Sequence, residues 1–188
     1  FDQWKVFWSF NSARGADLGS LWLVLQQAGH GASVSTINLV SWLFFGAVCA
    51  GVLALGLLAR RTPRIPQLAF LIVTGFLLVN KVYSPQYVLW LLPLAVLARP
   101  RWRDLLVWQA GEVLYFAGVW LYLGGYTASS EVGAPDRAYW LFTFLRVAAE
   151  LYLAVMVVRD IVHPWHDPVR ASGLVDDPME PDDERVTA

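Results

Sequence analysis

Five apolar runs dominate the hydrophobic pattern, and short polar or basic segments separate them. The first run, 37–59, contains no charged residue and extends about 34 Å as a helix, enough to cross a hydrocarbon core of about 30 Å. The runs 104–124 and 138–158 are also long enough to cross. The runs 66–79 and 85–98 each reach only about 21 Å, so their polar junction should lie recessed below one membrane surface.

Basic residues predict the orientation of these runs. Arginines concentrate in RRTPR (60–64) and in RPRWR (99–103), and the positive-inside rule places both segments in the cytoplasm. The N-terminal segment 1–36 then lies outside, and the junction of the two short runs also faces outward. The segment 159–188 lies inside. The sequence therefore predicts a multi-pass protein of the plasma (inner) membrane, with an extracytoplasmic N-terminus and a cytoplasmic C-terminus.

Composition supports this class of protein. Hydrophobic residues make up 57% of the 188 residues and charged residues only 15%, which predicts an all-α integral membrane protein built as a multi-span helical bundle. A net charge of -1 argues against a nucleic-acid partner. The single cysteine, Cys49, excludes an intrachain disulfide, and prolines interrupt the pair His163 and His166, so we expect no metal site.

The two terminal segments differ in character. In 1–36, aromatic residues such as Trp8 and Trp22 suit a membrane interface, and Asp17 is predicted to cap a short helix that runs to Gln27. The alternative role for Asp17 is catalytic, but a cap paired with Arg14 is favoured. The segment 159–188 is rich in acidic residues after His166, so we expect a disordered cytoplasmic tail.

The junction of the two short runs contains the most unusual polar segment, NKVYSPQY (80–87). Ser84 followed by Pro85 predicts a helix start, with the serine hydroxyl accepting from the first free amides. Lys81 comes just before this start, and Tyr83, Gln86 and Tyr87 are close by. These residues predict an anion site that faces outward. The alternative is a tight loop in which Lys81 reaches toward lipid headgroups.

Three charged residues fall inside the last two apolar runs. Counted from the cytoplasmic ends, Glu112 and Glu150 lie about 12 Å deep and Arg146 about 18 Å deep. Arg146 and Glu150 are four residues apart and share one helical face, so a single arginine is predicted to meet both acids. A proton or ion pathway is one interpretation. A structural charge cluster is the favoured one, because these charges nearly balance and lie far from the outer site.

Two stretches carry a resemblance to a known family. NKVYSPQYVLWLLPLAVLARPRWR (80–103) and FWSFNSARGADLGSLW (7–22) resemble the C-terminal half of family 87 of the GT-C glycosyltransferases, which are membrane enzymes of actinobacteria. The resemblance implies an enzyme that takes a sugar, often mannose, from a polyprenyl-phosphate carrier. It attaches the sugar outside the cytoplasm to a glycolipid or a cell-envelope glycan. The donor phosphate would bind at Lys81, Tyr83, Ser84, Gln86 and Tyr87, and Arg14 and Asp17 would belong to a substrate loop.

The same resemblance implies what the chain lacks. Such enzymes usually carry their general base in the first extracytoplasmic loop, so we expect the base, and the partner segment that holds it, upstream of Phe1. The chain alone should be inactive. Membrane lipids, the lipid-linked donor and the acceptor are the expected partners, and no cofactor is expected. Two other hypotheses stay open: a segment of a transporter or channel, and a non-catalytic membrane scaffold.

Overall fold

The computed structural model describes residues 2–127 and 135–173. All regular secondary structure in these ranges is helical, which confirms the all-α prediction for them. The helices are α1 (Asp2–Ala13), α2 (Leu21–Gln27), α3 (Val34–Leu58), α4 (Ile65–Val79), α5 (Val88–Ala98), α6 (Trp102–Leu123), α7 (Arg137–Val162) and α8 (Pro168–Ala171), with short 3-10 turns at Pro85–Tyr87 and Pro164–His166.

Three helices, α3, α6 and α7, are long and apolar enough to cross a membrane. Two shorter apolar segments lie between α3 and α6: α4, and the 3-10 turn together with α5, which span Pro85–Ala98. Helix α3 begins earlier than the apolar run suggested because Ser33 caps it, with the Thr36 amide donating to the serine hydroxyl at 3.2 Å. The helices alternate in direction, so one end of the bundle holds Lys81 and the other holds Arg99. We call these the Lys81 end and the Arg99 end.

Helices α6 and α7 form the centre of the packing. Two glycines on α6 bring them close together: a Cβ at Gly111 would lie 2.4 Å from Ala149 Cβ, and a Cβ at Gly118 would lie 2.4 Å from the Phe142 ring. Any larger residue would push the two helices apart. The core around this contact is apolar and aromatic, and it includes Trp108.

Buried arginines connect the helices at the Arg99 end. Arg64 makes a bidentate pair with Asp167, at 2.9 and 3.0 Å, and also donates to the carbonyls of Leu97 and Ala98. Arg99 pairs with Asp104 at 2.7 Å and with Asp160. These contacts link α4, α5, α6 and α7 to the segment that follows α7.

The same contacts correct one prediction. Residues 159–173, expected to begin a disordered tail, instead complete α7 and form a 3-10 turn and α8. Asp160 and Asp167 are buried because each carboxylate meets an arginine, which the acidic composition alone did not reveal. The rest of the predicted tail, 174–188, lies outside the described residues.

Candidate ligand site at the Lys81 end

The two segments with the most distinctive sequence, 14–20 and 80–84, lie side by side. The Asp17 amide donates to the Lys81 carbonyl, and the Tyr83 amide donates to the Leu18 carbonyl, both at 2.8 Å. Each loop therefore donates one backbone amide to a carbonyl of the other, and both pairs of backbone groups are hydrogen-bonded. The loops form one unit, although their hydrogen-bonded residues are more than sixty positions apart in the sequence.

Gly19 fixes this unit to the helices below it. Its amide donates to the Tyr139 hydroxyl at 2.6 Å, and its carbonyl accepts from Arg146 Nη2 at 3.2 Å. Its φ of 78° lies in the left-handed region. A Cβ here would lie 2.0 Å from the Tyr115 hydroxyl and 2.3 Å from the Tyr83 carbonyl oxygen. Only glycine fits, so the backbone of the loop can contact the core directly.

Below Gly19 lies a buried group of ionisable residues. Arg146 is 1% exposed and donates through Nη1 to both carboxylate oxygens of Glu150 at 3.1 Å. Its guanidinium also stacks over the Tyr83 ring, 3.6 Å from the ring centroid. Glu112 accepts from the Tyr83 hydroxyl at 3.1 Å and from Trp108 Nε1 at 3.2 Å. We call these residues the Arg146 cluster.

The predicted geometry of these three charges needs a correction. Arg146 bonds to Glu150, as their spacing predicted, but its hydrogen bonds go to Glu150 and Gly19 rather than to Glu112. Tyr83 stands between Arg146 and Glu112, since its ring faces the guanidinium and its hydroxyl binds the carboxylate. A tyrosine from a distant loop was not foreseeable from charge spacing along two helices.

Lys81 caps helix α1. Its ammonium donates to the carbonyls of Asn11 at 2.8 Å and Arg14 at 2.9 Å, with a longer contact of 3.4 Å to Ser12. These carbonyls belong to the last turn of α1 and the residue after it, where the helix dipole favours a cation. Partial burial lowers the pKa of the Lys81 ammonium. The lysine is thus held by partial charges, and none of these partners is a carboxylate.

A cavity of about 380 Å³ lies beside Lys81, between α1, α3 and the end of α4. Its apolar wall includes Trp42 and Phe76, which are 61% and 41% exposed on the surface of the bundle, so the cavity opens sideways. Its other end is polar and holds two cations. The residues around it are Trp8, Asn11, Ser12, Arg14, Asn38, Ser41, Trp42, Phe45, Phe76, Val79, Asn80, Lys81, Val82 and Tyr87.

Two of the five residues predicted to bind a phosphate, Lys81 and Tyr87, line this cavity. Tyr87 stacks on Trp90 with ring centroids 4.7 Å apart. Tyr83 is buried in the core, and Gln86 is exposed and outside the lining. The Ser84 hydroxyl makes no capping bond because the chain enters α5 through a 3-10 turn, in which the Ser84 carbonyl accepts from the Tyr87 amide at 2.9 Å. Ser84 and Pro85 stand at the helix start, as predicted, but the predicted capping bond of the serine hydroxyl is absent.

Arg14 and Asp17 are paired, with Arg14 Nη2 2.5 Å from Asp17 Oδ2. The prediction that Asp17 caps α2 is wrong. Ser20 does so, because the Leu23 amide donates to the Ser20 hydroxyl at 3.1 Å, and the Asp17 carboxylate instead accepts from the Leu18 amide at 2.7 Å. Arg14 lines the cavity, whereas Asp17 shapes the loop behind it.

Polar residues near the start of α3 belong to the site and were missed. Asn38 Nδ2 donates to the Ser12 carbonyl at 2.9 Å, and the Ser41 hydroxyl donates to the Val79 carbonyl at 3.0 Å. Both side chains line the cavity. Their position within the first turns of an otherwise apolar helix was an available signal, since polar groups in such helices usually have partners.

Within the described ranges, no group of three or more His, Cys, Asp or Glu side chains could hold a metal ion. Comparisons with protein-family models, curated proteins and solved structures found no match to this chain. The resemblance to family 87 of the GT-C glycosyltransferases therefore stays a prediction, and the geometry of the Lys81 end is the basis for a functional proposal.

Proposed function

We propose that the chain is the C-terminal membrane part of a glycosyltransferase that uses a polyprenyl-phosphate sugar, with mannose as the expected sugar. The transfer takes place at the extracytoplasmic face, and the acceptor is a glycolipid or a cell-envelope glycan. In this reaction the bond between the sugar's anomeric carbon and the carrier phosphate breaks. A bond to an acceptor hydroxyl forms, and a general base supplied from outside this chain takes the hydroxyl proton.

The observation that supports this proposal is the amphiphilic cavity at the Lys81 end. Its wall of Trp42, Phe45 and Phe76 suits an isoprenoid chain, and its sideways opening would admit a ligand whose tail stays in the bilayer. Arg14 and Lys81 at the polar end suit a phosphate group. A lipid-linked sugar phosphate combines these two properties in one molecule.

Lys81 is suited to an exchange of partners. A phosphate oxygen carries more negative charge than the backbone carbonyls of α1, so phosphate is expected to replace one or more of these carbonyls at the ammonium. Electrostatic stabilisation of the leaving phosphate then helps to break the bond to the sugar. Arg14 is the second cation, and Asp17 holds it in place.

The test is the initial rate of sugar transfer against donor concentration in the full-length enzyme. Lys81→Ala should weaken donor use by about 10-fold or more, since a hydrogen bond from a charged group is worth roughly 1.5 to 3 kcal/mol. Acceptor dependence should scarcely change. Lys5→Ala is the matched control, because Lys5 is an exposed cation on α1 outside the cavity lining. Normal donor dependence in correctly inserted Lys81→Ala protein would contradict the proposal.

A further inference from the structure

A second cavity, of about 350 Å³, lies at the Arg99 end between α3 and α7. We call it the α3–α7 groove. Gly51, Ala54, Leu55 and Leu58 form its wall on α3, and Arg60 and Val162 lie at its end. A Cβ at Gly51 would meet no atom within 4 Å, so the groove has free space along the helix. Its volume and apolar wall suit a hydrocarbon chain.

Cations border the end of this groove. Arg60 and Val162 line it, and Arg159 precedes Val162 by three residues, about one turn of α7. Arg159 Nε is buried and has no hydrogen-bond partner among the described residues. Arg60, at the groove itself, is exposed and likewise makes no ion pair within the described ranges.

Two histidines follow α7, one at its C-cap and one in the 3-10 turn. The rings of His163 and His166 lie 6.1 Å apart. Desolvation and the nearby Arg159 guanidinium lower the pKa of the His166 imidazole, which favours its neutral form. Arg64 and Arg99 are neutralised by buried aspartates. Arg60, in contrast, lines the groove and makes no ion pair with the described acids, so the groove ends in a positive charge.

Trp165 places this charge at the depth of a membrane interface. Its side chain is 59% exposed, and its ring lies 5.0 Å from the His163 ring. Exposed tryptophans next to cations are typical of the headgroup region of a bilayer. A soluble phosphate would use the cations but neither the exposed tryptophan nor the apolar groove, so both features favour a lipid.

We propose that the α3–α7 groove binds an anionic phospholipid, with an acyl chain along α3 and the phosphate at Arg60 and Arg159. Basic pockets between helices commonly bind such headgroups on the cytoplasmic side, where the positive-inside rule places this end. This site is independent of the proposed glycosyltransferase activity, because it lies at the opposite end of the bundle from Lys81.

The groove is tested first with the purified chain in neutral detergent. Binding of dioleoylphosphatidylglycerol is titrated by native mass spectrometry, with dioleoylphosphatidylcholine as the zwitterionic comparison. The wild type should prefer the anionic lipid. Gly51→Leu should fill the groove and abolish this preference, whereas Gly46→Leu is the matched control. Position 46 is on the same helix, its Cβ would also meet nothing within 4 Å, and it lies outside the groove. Equal binding by the two leucine variants would overturn the proposal.

The cations are tested in the same titration. Arg60→Gln and Arg159→Gln should each weaken binding of the anionic lipid about fivefold, as expected for one basic residue near an anionic headgroup. Arg103→Gln is the control, because Arg103 is exposed at the same end but pairs with Asp104 at 3.3 Å. Competition by soluble glycerol 3-phosphate alone would overturn the lipid assignment. Unchanged binding by both glutamine variants would overturn the proposal as well.

Discussion

The two ends of the bundle hold their cations in different ways. At the Arg99 end, Arg64 and Arg99 are buried and meet aspartate carboxylates. At the Lys81 end, the Lys81 ammonium meets only backbone carbonyls at the end of α1. A buried ion pair is costly to break, because the remaining charge is left without a partner. A cation held by carbonyls can exchange them for a stronger anion. The comparison therefore favours a structural role for Arg64 and Arg99, and it supports the proposed binding role of Lys81.

The Lys81 end and the Arg99 end are predicted to lie on opposite sides of the membrane. A cysteine at Ala32 should react with a membrane-impermeant maleimide in intact cells, and a cysteine at Ser172 should react only after permeabilisation. Both positions are exposed in the structure. The background should carry Cys49→Ala, which removes the native thiol. Labelling of both positions from the same side would remove the basis for an outer and an inner end.

The largest stability effect is expected at Arg99. Arg99→Leu leaves Asp104 and Asp160 buried without their main partner, so it should lower the free energy of unfolding by about 3 to 5 kcal/mol. Replacing all three residues with leucine should be much milder. Arg103→Leu should change little, because that side chain is 75% exposed. Unfolding in detergent measures each variant, and equal damage from the single and triple changes would refute a purely structural role.

A smaller but still clear effect is expected at Gly19. Gly19→Ala should lower the free energy of unfolding by more than about 2 kcal/mol. Alanine is strained at the left-handed φ of this position, and its Cβ would also clash with the Tyr115 hydroxyl. Gly29→Ala is the matched control: Gly29 has φ of 85° but its Cβ would meet nothing within 4 Å. That control should cost only about 1 kcal/mol for the backbone conformation. Similar unfolding energies for the two variants would show that the contact between the loop and the core is unimportant.

The smallest stability effects are expected at two serines, of which Ser20 caps a helix with its hydroxyl and Ser84 does not. Ser20→Ala should cost about 1 kcal/mol, because the Ser20 hydroxyl accepts from the Leu23 amide. Ser84→Ala should cost less than about 0.5 kcal/mol, since its hydroxyl makes no capping bond. Thermal unfolding of the pair in one detergent would resolve this difference. A larger loss for Ser84→Ala would indicate that this hydroxyl has a partner such as a ligand.

Much of the helical arrangement was predictable from hydrophobicity. The apolar runs predicted α3, α6 and α7 close to their observed bounds. Each run is long, and capping and packing change only the few residues at its ends. The two short helices were predicted in the same way. The pairing of Arg146 with Glu150 also followed from spacing, since positions four apart share a helical face.

Contacts between distant segments depended on the tertiary structure. The sequence offered no means to foresee that Gly19 accepts from Arg146, that Tyr83 separates Arg146 from Glu112, or that Lys81 caps α1. Each contact joins residues far apart in the chain, and hydrophobic periodicity describes only which face of one helix is apolar. The hydrophobic pattern thus determined the helices, whereas the packing of their ends decided which polar residues became core and which line the cavity.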